Sequence, residues 1–121
     1  EYCQQLAKYQ HLHVRVSIKG ASPDEYFDLT GARPDSYWLP FEAMKNLIDA
    51  GVSCNACLMA SFSSDDGIEQ VKKNLSTVHP GILKSLEVET ITLFPKVQER
   101  LEKHGLKPTR AKRLRNLRKA A

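Results

Sequence analysis

The sequence predicts an α/β fold in which parallel strands alternate with helices, as a piece of a partial (β/α)6, TIM-like barrel. Three observations carry this. Val14, Val16 and Ile18 alternate with Arg15, Ser17 and Lys19, a period of two that marks a strand with one oily and one polar face. A second strand-like run, Val52 to Ser61, follows a segment in which Phe41, Met44, Leu47 and Ile48 recur at helical spacing. A third run, Leu86 to Phe94, rich in β-branched residues, follows a second such helix. Strands separated by helices of about 10–15 residues imply βαβ units and a parallel sheet.

In chain order, Tyr2, Leu6 and Tyr9 are spaced as the end of an amphipathic helix. His11 to Gly20 is the first strand. Ser22-Pro23-Asp24-Glu25 has the form of a capping box with Pro at the first helical position, predicting a short helix over 23–29. Residues 30–40 are rich in turn formers. Pro40 opens the next helix and Gly51 stops it. Ser63-Ser64-Asp65-Asp66-Gly67 supplies a turn and a cap for a helix running to about Val78, with Ile68, Val71 and Leu75 inward. Pro95 opens a last helix through His104, with Val97 and Leu101 inward and Gly105 beyond it.

Composition sets bounds. Of 121 residues, 41% are apolar and 26% charged, as in a folded domain. No apolar run approaches the ~20 residues of a bilayer-spanning helix, so no membrane partner is expected. The three cysteines, an odd count with no secretory signal, favour a reducing compartment, so a cytoplasmic location is expected. Because the chain opens on Glu1-Tyr2-Cys3, it reads as a fragment of a longer protein. The net charge of +4 is unevenly spread: six of the 18 basic residues lie between Arg110 and Lys119, leaving 12 basic against 14 acidic, or −2, for the rest. The chain divides into a body, 1–108, and a basic tail, 109–121. In the tail Leu114 and Leu117 permit a short basic helix, although a solvated end is the ordinary fate of such a segment.

Fully buried parallel strands are apolar on both sides. Arg15, Ser17 and Lys19, and Ser53, Asn55, Cys57, Met59 and Ser61, instead give one polar face each to the first two strands. Half-polar parallel strands suit a barrel wall lining a ligand cavity. Lys19 stands at the carboxyl end of its strand, where α/β folds bind ligands, and its ammonium suits a carboxylate or phosphate. A solvated strand-end lysine is the plain alternative. Arg15, one step deeper, is placed to pair with Glu87 or Glu89 across the wall or to reach the ligand. The pattern of the third strand leaves open whether Glu87 and Glu89 or Val88 and Thr90 share the polar face. Cys54 and Cys57 form a CxxC, yet on a strand they point to opposite faces, and no second pair completes a metal site. The four histidines share no ligand spacing.

The Arg15-Val16-Ser17-Ile18-Lys19-Gly20 strand, followed by Leu29-Thr30-Gly31, resembles the activating-enzyme branch of the radical S-adenosylmethionine family, whose best-known members are the pyruvate formate-lyase activating enzymes. The resemblance covers roughly residues 12–106 and implies a radical S-adenosylmethionine oxidoreductase. In that family an Asp-x-Lys pair at the end of the fourth strand grips the amino and carboxylate groups of the cofactor. Here Lys19 is kept and Ser17 stands in place of the acid, so the resemblance implies Lys19 for the carboxylate and Ser17 for the amino or ribose group. It also implies Asn55 or Lys96 for the nucleoside side, Lys96 falling where the family has a histidine after Leu93-Phe94-Pro95. The polar Ser63-Ser64-Asp65-Asp66 loop is similar to one that follows a family strand, although helix capping accounts for it. The CxxxCxxC that binds the family's [4Fe–4S] cluster is not in this sequence and is expected upstream, so the chain alone contains no catalytic residue of that chemistry and no metal ligand. The branch implies a glycyl-radical protein or a small molecule as substrate. Two other readings stand beside this one. One is an α/β barrel domain binding a phosphorylated metabolite through Lys19 and helix N-termini. The other is an RNA-binding module, within an RNA-modifying enzyme, using the basic run Arg110–Lys119.

Overall fold

The structure is a computed structural model and describes residues 1–114. Its elements run α1 (Tyr2–Leu6), β1 (His13–Lys19), α2 (Pro23–Thr30), a 3-10 turn (Pro34–Trp38), α3 (Leu39–Asp49), β2 (Ser53–Met59), α4 (Asp65–Val78), a 3-10 turn (Ile82–Ser85), β3 (Glu87–Glu89), β4 (Ile91–Leu93), α5 (Pro95–Lys103) and β5 (Ala111–Arg113). Strands β1, β2 and β3 form one parallel sheet in that order, and β4 pairs with β5, also in parallel. The mixed α/β class, with parallel strands alternating with helices, is thus what the structure contains.

Register explains the two faces. Val14, Val16 and Ile18 lie opposite Cys54, Ala56 and Leu58. Ile18, Ala56 and Leu58 join Tyr37, Phe41, Met44, Val71, Leu75 and Ile82 in one buried cluster, so the helices pack on this side of the sheet. Met44, Ala56, Leu58, Val71 and Leu75 have no exposed surface at all. Phe41 and Met44 of this cluster, with Leu47, form the buried stripe of α3 at helical spacing, and burying each large apolar side chain contributes about 1.5–3 kcal/mol. The opposite face carries His13, Arg15, Ser17 and Lys19, all exposed.

Local signals act as their chemistry requires. The Ser22 hydroxyl caps α2 by accepting the Glu25 N–H, and Ser64 caps α4 by accepting from Gly67. Gly31 ends α2 at φ 72°, with its N–H donating to the Phe27 carbonyl. The capping box at Ser22 is only half made: the Glu25 carboxylate, in place of returning to the Ser22 N–H, accepts the Ser63 hydroxyl at 2.5 Å.

Three expectations are corrected. The single third strand over 86–94 is two strands broken at Thr90, because pairing to β2 ends there. Ala60 N–H donates to the Glu89 carbonyl, whereas the Ile91 N–H, two residues on, turns to the Ser61 hydroxyl at 2.7 Å, and the chain then pairs with β5. The helix at the start of the chain ends at Leu6, and both Tyr2 and Tyr9 are exposed. Of the segment assigned to a tail from 109, residues 109–113 continue the body: Thr109 and Arg110 hydrogen-bond to Ser61, and Ala111–Arg113 is a strand. The short helix suggested by Leu114 and Leu117 falls largely on residues outside those described. Among the described residues, no helix is long and apolar enough to cross a membrane.

Candidate functional site

The polar sheet face is the candidate site, and it divides into three levels along the strands. At the amino end, His13 bridges β1 and β2: its Nδ1 lies 2.6 Å from the Ser53 hydroxyl oxygen and its Nε2 lies 2.7 Å from Asn55 Oδ1. An amide oxygen only accepts, so Nε2 is the donor in that bond. The Asn55 NH2 donates to the Ser85 carbonyl at 3.1 Å. Asn55 is buried, and this bridge satisfies its carbonyl and its amide together.

In the middle, Arg15 reaches across β2 to β3. Its Nη2 donates to Glu87 and, at 2.6 Å, to Glu89. The two hydrogen bonds, that of Glu87 foremost, hold the guanidinium above its ordinary titration range. Arg15 in turn, with the Cys57 thiol second, holds the Glu87 carboxyl below the ordinary carboxylate range. All three side chains are about half exposed, so solvent screens the pair. The Cys57 thiol donates to Glu87 Oε2 at 3.4 Å, and burial pushes its pKa up, Glu87 adding to the effect. Cys57, Glu87 and Glu89 come close enough together to ligate a cation. The Arg15 guanidinium bonds both carboxylates, so the cluster already has its positive charge. The face of the third strand that the sequence left open is thereby settled: Glu87 pairs with Cys57 and Glu89 with Met59, on the polar side.

At the carboxyl end stand Ser17 and Lys19, opposite Cys57 and Met59. Both are exposed, and among the described residues Lys19 forms no ion pair. The turn beyond it is tightly made. Gly20 takes φ 86°, and its carbonyl accepts the hydroxyl of the buried Tyr37 at 3.1 Å. Burial, with the Glu25 charge second, pushes Tyr37 up to about 12.

The structure therefore places Ser17, Lys19 and Asn55 on one face, with Asn55 committed to the His13 bridge at its lower end. Lys96 stands elsewhere, exposed in the first turn of α5 beside Glu99, Arg100 and Lys103. Cys54 and Cys57 fall on opposite faces of β2, Cys54 opposite Val14 and Cys57 opposite Ser17. Arg110, counted in the basic run, is turned inward: its guanidinium donates to the Ala60 and Ser63 carbonyls, both at 2.8 Å, and to Asp65 at 2.5 Å. Lys112 and Arg113 are exposed; Arg115, Arg118 and Lys119 lie outside the described residues. The His13–Asn55 bridge and the inward turn of Arg110 have no local sequence signal, since each joins residues more than forty positions apart. No family model matches the chain, and neither a curated protein nor a solved structure matches it.

Proposed function

We propose that this chain is part of the wall of an incomplete (β/α)6 barrel in a radical S-adenosylmethionine enzyme, and that it holds the amino-acid end of that cofactor. The observation that supports the reading is a parallel sheet packed by helices on one face and left bare and polar on the other, with Lys19 open at the carboxyl end of β1. A doubly wound sheet would be covered on both faces and apolar on both. Ligands of parallel α/β folds bind at the carboxyl ends of strands, which is where Lys19 and Ser17 stand.

The residues fit the group in part. The Lys19 ammonium, with no carboxylate partner among the described residues, matches an anionic head group. The Ser17 hydroxyl, two positions back on the same face, can accept from an amino group or bond a ribose hydroxyl. It brings no negative charge, so the amino group is held more weakly than by a carboxylate. Asn55 and Lys96 add little to the grip: the first is taken by His13 and Ser85, and the second stands on α5. When bound beside a reduced [4Fe–4S] cluster, S-adenosylmethionine supplies a 5′-deoxyadenosyl radical. The spacing of Cys3, Cys54 and Cys57 is not that of cluster ligands, so in this reading the cluster is held by residues outside this sequence. Arg15, locked between Glu87 and Glu89, offsets one of their two negative charges and ties β3 to β1.

Calorimetric titration with S-adenosylhomocysteine tests the grip. A charge-assisted hydrogen bond contributes about 1.5–3 kcal/mol, so Lys19→Ala should weaken binding by about 10- to 100-fold. Adenosine, which lacks the carboxylate, should bind both proteins alike. Equal affinity of wild type and Lys19→Ala for S-adenosylhomocysteine would refute the assignment. Saturable binding of inorganic phosphate that depends on Lys19 would favour a phosphorylated metabolite instead.

A further inference from the structure

The segment after α5 does more than extend the chain. The Ser61 carbonyl accepts Thr109 N–H at 2.7 Å and the Thr109 hydroxyl at 3.1 Å, and the Arg110 fork closes on the Ala60 and Ser63 carbonyls and on Asp65. With the Arg110 N–H, which also donates to the Ser61 carbonyl, six bonds thus tie residues 109 and 110 to the loop at the carboxyl end of β2. Ser61 and Ser63 within that loop are completely buried. A planar guanidinium with several fixed donors can satisfy two carbonyls and a carboxylate at once; a lysine ammonium lacks that fork.

The contact does not stop at the loop. Ser63 passes it to α2 through its hydroxyl on the Glu25 carboxylate. A methyl group added at Gly67 would lie 2.8 Å from the Ala21 side chain, so the start of α4 also sits hard against the turn after β1. Glu25 precedes Tyr26, whose N–H would meet an added Gly20 methyl at 2.9 Å. Gly20 directly follows Lys19. A continuous set of packed and hydrogen-bonded groups therefore runs from Arg110 through Ser63 and Glu25 to the backbone that carries Lys19.

We infer that Arg110 is a positioning residue for Lys19: it straps the loop after β2 in place, and that loop sets the end of β1 from which the ammonium projects. The inference rests on the anion grip proposed for Lys19, and it can fail separately from it. Such networks shift coupled affinities by about 3- to 30-fold. In the full chain, Arg110→Ala should raise the dissociation constant for S-adenosylhomocysteine by that factor. In a Lys19→Ala background the same change should cause no further loss, because the strap acts through Lys19. An equal loss in both backgrounds would overturn the inference, since the effect would then be general.

A ligand-free readout separates the two ideas. With lysines reductively methylated with 13C, the Lys19 signal should move in Arg110→Ala. An unmoved signal overturns the positioning role, whereas unchanged affinity in Lys19→Ala overturns the grip itself. Should Arg110→Ala not fold, Asp65→Ala removes one of the three partners of the fork at an almost fully exposed carboxylate. It should shift the Lys19 signal the same way by less, and no shift there would likewise overturn the proposal.

Discussion

Substituting Gly20 by Ala probes the turn that carries the candidate site, and the structure supplies its own control. Gly20 and Gly31 both adopt positive φ, 86° and 72°. An alanine at either pays the left-handed penalty, about 1–2 kcal/mol. Only Gly20 adds a clash: the new methyl would lie 2.9 Å from Tyr26 N and 3.2 Å from Glu25 C and Tyr26 Cα, all backbone atoms of the first turn of α2. At Gly31 nothing lies within 4 Å. Backbone cannot rotate away as a side-chain tip can, so overpacking adds about 1–3 kcal/mol at Gly20. The expected cost is therefore about 2–5 kcal/mol for Gly20→Ala against about 1–2 kcal/mol for Gly31→Ala. A domain stable by about 5–15 kcal/mol survives the second easily and the first narrowly. Urea unfolding followed by circular dichroism and by Trp38 fluorescence measures both. Equal costs for the two variants would show that α2 does not press on the turn after Lys19, and the path argued from Arg110 to Lys19 would lose its last step.

Two further expectations concern the core behind the site. Tyr37, 1% exposed, titrates at about 12 in the fold, against its ordinary value of 10.0. Its raised pKa favours the neutral phenol, so the stability it contributes is complete below pH 10.0 and is lost as pH rises through about 12. The loss should approach about 2–3 kcal/mol, and the stability difference between wild type and Tyr37→Phe should narrow across that window; a difference independent of pH would contradict the burial described for the hydroxyl. Met44→Ala, at a side chain with no exposed surface among Phe41, Leu58 and Val71, should cost about 2–5 kcal/mol with the urea slope unchanged; a cost under about 1 kcal/mol would place Met44 outside the core.

Much of the frame was legible from residue order because local physics sets it. The alternation from Val14 to Lys19 reports one oily and one polar face wherever the strand goes, since side chains on a strand alternate. Ser22, Ser64 and Gly31 cap helices through groups within a few residues of themselves, so they read as caps in any tertiary setting. Glu25 marks the limit. Its place three residues after Ser22 predicts a return bond to the cap, yet the Ser63 hydroxyl, thirty-eight positions on, claims the carboxylate.

Partner choice over long separations belongs to the tertiary structure. The residues of β3 and β4 form one β-rich run in the sequence, and only the end of β2 decides that pairing changes hands at Thr90. Arg110 belongs by composition to a basic run. It turns inward because the loop from Ala60 to Asp65 presents two carbonyls and a carboxylate that a guanidinium fork fits. By itself the sequence determined the main helices, the first two strands and the polar faces of those two strands, because periodicity and capping act over a few residues. The fold alone decided which polar groups meet on that face, because those meetings depend on how separate strands are brought into register.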